Sequence, residues 1–132
     1  MSKIVVGYTP DKYGRTALEY AAAESELRGL GLLVVNGTKG DALVDDRYAA
    51  ESEIAKVSKD LQNLGVDFEV RQFMGAGISD RVVELADEVD AALIVIGIRR
   101  RSPVGKLVMG SVAQRILMDS HCPVLAVKPG SD

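Results

Sequence analysis

Short, wholly apolar runs alternate along the chain with longer stretches whose apolar residues recur at helical spacing. Ile4-Val5-Val6, Leu32-Leu33-Val34-Val35 and Ala91-Ala92-Leu93-Ile94-Val95-Ile96 are apolar at every position. Such runs are the signature of strands covered on both faces, as in a parallel sheet between helices. Val66, Phe68 and Val70 alternate instead with polar residues, which predicts a less covered strand at a sheet edge. Pro123-Val124-Leu125-Ala126-Val127 supplies a last strand, stopped by Pro129-Gly130.

Four helices are predicted between these strands. The first opens at Thr9-Pro10-Asp11, with Thr9 or Asp11 as its cap, and carries Tyr13, Ala17, Tyr20, Ala21 and Leu27 at roughly helical spacing. Gly29 and Gly31 end it, and the turn-rich Asn36-Gly37-Thr38-Lys39-Gly40-Asp41 follows the second strand. A second helix is expected from Asp46 to Leu64, with Ala50, Ile54, Val57, Leu61 and Leu64 facing the core and Gly65 closing it. Gly75-Ala76-Gly77 leads into a third, with Ile78, Val82, Leu85, Ala86 and Val89 inward. For the last helix, Ser111-Val112-Ala113-Gln114 has the capping-box pattern, a hydroxyl at the cap and a Gln three residues on. Val112, Ala113, Ile116 and Leu117 give it one apolar face. Strands alternating with helices define an α/β class with a parallel sheet, in which ligands bind where the strand order reverses.

The stretch Gly97–Ser111, GIRRRSPVGKLVMGS, carries the most suggestive chemistry. It joins the most apolar run to a helix start and holds Arg99, Arg100, Arg101 and Lys106. A basic, glycine-containing loop feeding a helix N-terminus suits an anion, because free N–H groups and the helix dipole already favour negative charge there. The plainer reading is a solvated basic loop. The formal net charge of −3 argues against a general nucleic-acid binder and makes this local cluster distinctive.

At 132 residues, 47% hydrophobic and 27% charged, the chain reads as one globular domain over residues 1–132. Cys122 is the one cysteine, so no internal disulfide forms, and nothing resembles a set of metal ligands. No signal peptide or membrane span is evident, which makes the cytoplasm the expected compartment. A P-loop ending at Lys106 fails, because it needs glycine at Arg100 and Ser or Thr at Leu107. A dinucleotide fingerprint at Gly75-Ala76-Gly77 fails at Asp80. His121 and Cys122 are adjacent just before a strand, which points their side chains apart and favours a structural role. Asp45, Asp46, Glu51 and Glu53 are most simply the acidic start of a helix.

With HCPVLAVKP following Gly97–Ser111, the sequence resembles the universal stress protein family over essentially its whole length. IVVGY matches that family's first strand, RTALEYA its first helix, AALIVIG its fourth strand, GSVAQRIL its last helix and CPVLAV its last strand. The resemblance implies a doubly wound, five-stranded parallel sheet in the order 3-2-1-4-5, with helices on both faces. It also implies a nucleotide, ATP or AMP, seated between the first and fourth strands. The family motif is Gly-x2-Gly-x9-Gly-Ser/Thr. Gly97, Gly110 and Ser111 match it, whereas Arg100 replaces the second glycine. Thr9 stands where nucleotide-binding members place an aspartate against the adenosine. An arginine at a position needing positive φ costs about 1–3 kcal/mol. A charge-assisted bond from it to phosphate returns about 1.5–3 kcal/mol, so the substitution is compatible with an arginine-clamped phosphate.

The expected function is therefore a stress-response binding module. Gly97 and Gly110 would permit close backbone approach, Arg99 and Arg100 would neutralise phosphate, and Ser111 and Val112 would offer the helix N-terminus. Thr9 would lie beside the ligand, with Val35 and Asn36 flanking a base. Family dimers pair the last strand with its twofold mate, which implies a homodimer through Val124, Leu125, Ala126 and Val127. The alternatives are a ligand-free dimer acting through protein contacts, and a very weak ATPase, for which no general base is identifiable.

Overall fold

A computed structural model describes residues 2–37, 50–74, 77–98 and 110–130. Five strands and four helices alternate through them: β1 (Lys3–Gly7), α1 (Lys12–Arg28), β2 (Gly31–Gly37), α2 (Glu51–Asn63), β3 (Phe68–Phe73), α3 (Ile78–Glu88), β4 (Leu93–Gly97), α4 (Ser111–Asp119) and β5 (Val124–Val127). The strands form one sheet in the order β3-β2-β1-β4-β5, every neighbouring pair parallel. This is the doubly wound order that the family resemblance implied.

The period-two alternation of β1 sorts its side chains onto two cores. Ile4 and Val6 join Leu32, Val34 and Val95 on the face covered by α1 and α2, through Ala17, Ala21, Val57 and Leu61. Val5 joins Leu33, Val35, Ile94 and Ile96 on the other face, covered by α3 and α4 through Val82, Leu85, Ala113 and Ile116. β1, β2 and β4 are buried on both sides because each lies between two neighbours and two helix layers. β3 is an edge strand, and its alternating burial matches its alternating sequence.

Several boundaries differ from expectation for local physical reasons. α1 packs through Gly14, Ala17, Ala21, Ala22 and Ser25, so its buried stripe is made of small residues that let it sit close to the sheet. The larger Tyr20 and Leu27 point outward, 50% and 80% exposed. Asp11 alone caps α1, accepting from the Gly14 N–H at 3.0 Å. Among the described residues α2 begins at Glu51 with Ala50 as its extended cap, while residues 46–49 lie outside them. Ala50 and Leu64 are exposed at the two ends, and Gly65 takes φ 73° just past the helix. β2 runs on through Asn36 and Gly37, which the sequence placed in a turn, because both pair with β3.

The cap of α4 shifts by one residue. Gly110, at φ 83° and ψ 150°, is the N-cap, and Ser111 is the first helical residue. That backbone conformation suits glycine alone, and no side chain caps the helix. Gln114 is then one position too late for a capping box, and its N–H instead closes the first turn on the Gly110 carbonyl at 3.2 Å. Leu117, expected on the core face, is exposed. Among the described residues no helix is long and apolar enough to cross a membrane.

Candidate functional site

β1 and β4 are neighbours, but the chain leaves them in opposite directions across the sheet. Their carboxyl ends therefore diverge and leave a crevice above the switch point. A cavity of about 300 Å³ occupies it, with Gly7 and Gly97 at its base. Tyr8, Thr9 and the start of α1 form one wall, and Gly110, Ser111 and Val112 of α4 form the facing one. Val35 and Gly37 from the end of β2, with Ile78 of α3, close the third side.

The fold thus brings Thr9, Val35, Gly97, Gly110, Ser111 and Val112 around one space. Asn36 is not among the lining residues. It is fully buried beside the cavity, where its amide donates to the Tyr8 carbonyl at 2.7 Å and its oxygen accepts from Gln72 at 3.0 Å. Its neighbour Tyr8 in turn bonds the Val35 carbonyl through its own N–H at 2.8 Å. Asn36 consequently holds the loop that carries Thr9. Arg99 and Arg100, with Arg101 and Lys106, lie outside the described residues. Val124, Leu125, Ala126 and Val127 form the opposite, outer edge of the sheet.

Thr9 has a defined role in the wall. Its hydroxyl donates to Asp11 at 2.7 Å, and the same carboxylate oxygen caps α1. Asp11 is therefore committed to the helix cap, while the Thr9 oxygen keeps lone pairs able to accept from a ligand hydroxyl. The wall is tight: a Cβ on Gly14 would lie 1.9 Å from the Thr9 carbonyl oxygen. Gly97 is equally constrained, since a Cβ there would lie 2.3 Å from the Tyr13 carbonyl oxygen. It seats α1 against β4 as well as lining the cavity.

Tyr8, Tyr13 and Ile78 also line the cavity and were not foreseen. Tyr8 immediately follows a wholly apolar strand, which was the available signal. Ile78 reaches the site only through the tertiary packing of α3 on the sheet, which no local pattern reveals. The Tyr8 hydroxyl donates to Glu53 of α2, which also lies 3.6 Å from Arg15. Burial, then the hydrogen bond to the Glu53 carboxylate, pushes the Tyr8 phenol well above the ordinary tyrosine range. Tyr8 therefore stays protonated and ties α2 to the cavity wall. At the other end of the sheet, His121 pairs with Asp87 at 3.1 Å on the surface. Burial raises the half-buried Cys122 thiol, with Asp87 adding to the effect, which disfavours a reactive thiolate.

Residues 1–128 match the sequence model of the universal stress protein family. This chain belongs to that family. A universal stress protein of Mycolicibacterium smegmatis is 52% identical over 126 residues, covering 96% of this chain and 97% of the relative. Among solved structures, a universal stress protein from Archaeoglobus fulgidus superposes with a TM-score of 0.81 at 34% identity, covering 97% of this chain and 99% of that one. The A. fulgidus universal stress protein in complex with dAMP aligns at 0.71 and 28% identity, covering 97% and 98% of the two chains. A universal stress protein in complex with cAMP aligns at 0.73 and 26%, covering 98% of each.

Proposed function

We propose that this universal stress protein is an adenine-nucleotide-binding module, with the ligand in the cavity between the carboxyl ends of β1 and β4. The observation that carries the reading is the cavity itself: it sits at the switch point of the sheet and ends on the first turn of α4. Val35, Ile78 and Tyr8 offer apolar surface to a base, Thr9 offers an acceptor to the sugar, and Gly110 to Val112 offer N–H groups to a phosphate. Arg99 and Arg100, which follow β4 in the sequence and lie outside the described residues, would add positive charge. Relatives of the same fold in complex with dAMP and cAMP support the ligand class. No acidic residue, histidine or lysine lines the cavity among the described residues, which favours binding over hydrolysis.

A ligand that binds only the folded state at a hundred times its dissociation constant adds about 2.7 kcal/mol of stability. For a chain of this length that raises the melting temperature by about 10 °C. Differential scanning fluorimetry with AMP, ATP and inorganic phosphate should show this rise for at least one nucleotide. A flat response to both nucleotides at millimolar concentration overturns the reading.

We further propose that the protein is a cytoplasmic homodimer paired through β5. β5 is the other sheet edge, and Val124, Leu125 and Ala126 on it are only half-buried. An apolar strand with one unpaired edge is an association surface, and a twofold mate would cover it with an identical strand. Leu125→Lys should then shift the protein from dimer to monomer in sedimentation at micromolar concentration. A wild-type protein already monomeric under those conditions removes the dimer from the proposal.

A further inference from the structure

The sheet edge formed by β3 carries a charge pattern that complements its own twofold image. β3 lies outermost beyond β2, and among the described residues no strand pairs with its other side. Its alternation sets Phe68 and Val70 against the core under α1 and α2, while Glu69 and Arg71 lie on the opposite face and are exposed. The Arg71 Nε donates to the Glu69 carboxylate at 2.7 Å. That hydrogen bond holds the Glu69 carboxyl below its ordinary range, so both side chains are charged near neutral pH.

The backbone of β3 sets the geometry of any further pairing. The Asp67 carbonyl accepts from the Leu32 N–H at 2.8 Å, and Phe68 stands opposite Leu32 in the parallel register. Successive residues of a paired strand direct their N–H and C=O groups alternately to its two sides. Those of Glu69 and Arg71 therefore face β2, and those of Val70 face the open edge. An antiparallel copy centred on Val70 would exchange two hydrogen bonds between the two Val70 backbones. Glu69 would then lie opposite Arg71 of the second copy, and Arg71 opposite its Glu69. Both are non-hydrogen-bonded positions, where the Cα atoms approach to about 4.5 Å and side chains are closest. Opposite charges directly across such a pair attract and like charges repel. Centring on Glu69 or on Arg71 would set like charges together, so the charges select the Val70 register. Edges that resist pairing are blunted by lysine, proline or inward-pointing charge, and β3 has neither lysine nor proline.

We propose that β3 is an interaction surface for a second copy of this chain, joined antiparallel about a twofold axis through Val70, with Glu69 and Arg71 reciprocally paired across it. The contact rests neither on the nucleotide reading nor on the β5 dimer, which uses the opposite edge. With both edges engaged, β5 dimers join edge to edge. One short strand pair buries little area, which places the contact at the weak and transient end of protein interfaces.

Sedimentation velocity of the full chain from about 10 µM to about 1 mM tests this, a range suited to a weak contact. The species present at the low end should double in mass toward the high end. Glu69→Arg and Arg71→Glu, each alone, set like charges across the twofold and should weaken that association at least about tenfold. An equimolar mixture of the two variants restores opposite charges at both positions and should recover wild-type association to within about threefold. Circular dichroism confirms that each variant is folded. In the wild type at high concentration the Val70 amide should exchange its proton more slowly, while the Arg71 amide, already directed to β2, should not change. A wild type whose mass does not rise overturns the contact. So does a single charge reversal that associates like the wild type, or a mixture of folded variants that fails to recover. A doubling abolished by Leu125→Lys and untouched by both charge reversals belongs to β5 and likewise overturns it.

Discussion

Gly97→Ala is expected to lower the melting temperature by about 10 °C, while Gly7→Ala leaves it unchanged or slightly raised. The two glycines end neighbouring strands and both line the base of the cavity. What differs is what a methyl group would meet. At Gly97 it would lie 2.3, 2.8 and 3.1 Å from three backbone atoms of Tyr13, in the first turn of α1. Backbone in a helix cannot rotate aside, so α1 must move off the sheet, at the upper end of the usual 1–3 kcal/mol for overpacking. About 3 kcal/mol corresponds to the stated shift for a chain of this size. At Gly7 the nearest atom is a methyl of Ile96 at 3.4 Å, an ordinary contact. There alanine gains about 0.4–1 kcal/mol by restricting the unfolded chain. Thermal denaturation of both variants checks the pair. Equal melting temperatures would mean that Gly97 does not set the approach of α1.

That result also bears on how a glycine motif is read. From sequence, Gly97 belongs to a phosphate-binding pattern, and its conformational freedom looks like the property that matters. In the structure its φ is not positive, and the constraint is the absence of a side chain beneath α1. Gly110 is the opposite case, a φ of 83° that makes it the cap of α4 in place of Ser111. The same residue type serves two physical ends that spacing alone does not separate.

The architecture was legible because burial on both faces writes itself as unbroken apolar runs, and the edge strand β3 writes itself as alternation. Helix faces were legible where large residues carry them, as in α3 with Val82 and Leu85. α1 was read correctly at Ala17 and Ala21 but only in part, because the rest of its packing face is built from Gly14, Ala22 and Ser25, which have little hydrophobic signal. Its bulky Tyr20 and Leu27 are solvent-facing. For the site, residues at strand ends were found by their place in the chain, since the topology delivers strand ends to one crevice. Residues reaching the site by tertiary packing, such as Ile78, carried no such mark. Asn36 was placed at the end of the second strand, and its buried hydrogen bonds there had no mark in the sequence. Its continuation of β2 turns it into the interior beside Tyr8.

Asn36 therefore carries the second large effect, and one that depends on pH. Its amide nitrogen donates to the Tyr8 carbonyl at 2.7 Å inside a fully buried environment. A carbonyl can only accept, so this bond fixes the amide's orientation and presents its oxygen to Gln72. Asn36→Leu keeps the volume but orphans the Tyr8 carbonyl, at about 1–3 kcal/mol, while the half-exposed Gln72 can turn to water. Asn36→Asp keeps the shape and replaces the donor by a carboxylate oxygen. Ionised, it opposes the Tyr8 carbonyl and adds a buried charge, so the loss at pH 7 should exceed that of leucine and reach about 3–5 kcal/mol. Protonated, the acid can donate to the same carbonyl. Its folded pKa must then lie above the unfolded value of about 3.9. The stability it contributes is accordingly present below pH 4 and lost as pH rises through the folded pKa. Relative to wild type at each pH, urea denaturation should show Asn36→Asp recovering toward pH 4 and Asn36→Leu staying flat. A leucine variant as stable as wild type, or an aspartate variant whose deficit ignores pH, would mean that this amide does not hold the Thr9 loop in place.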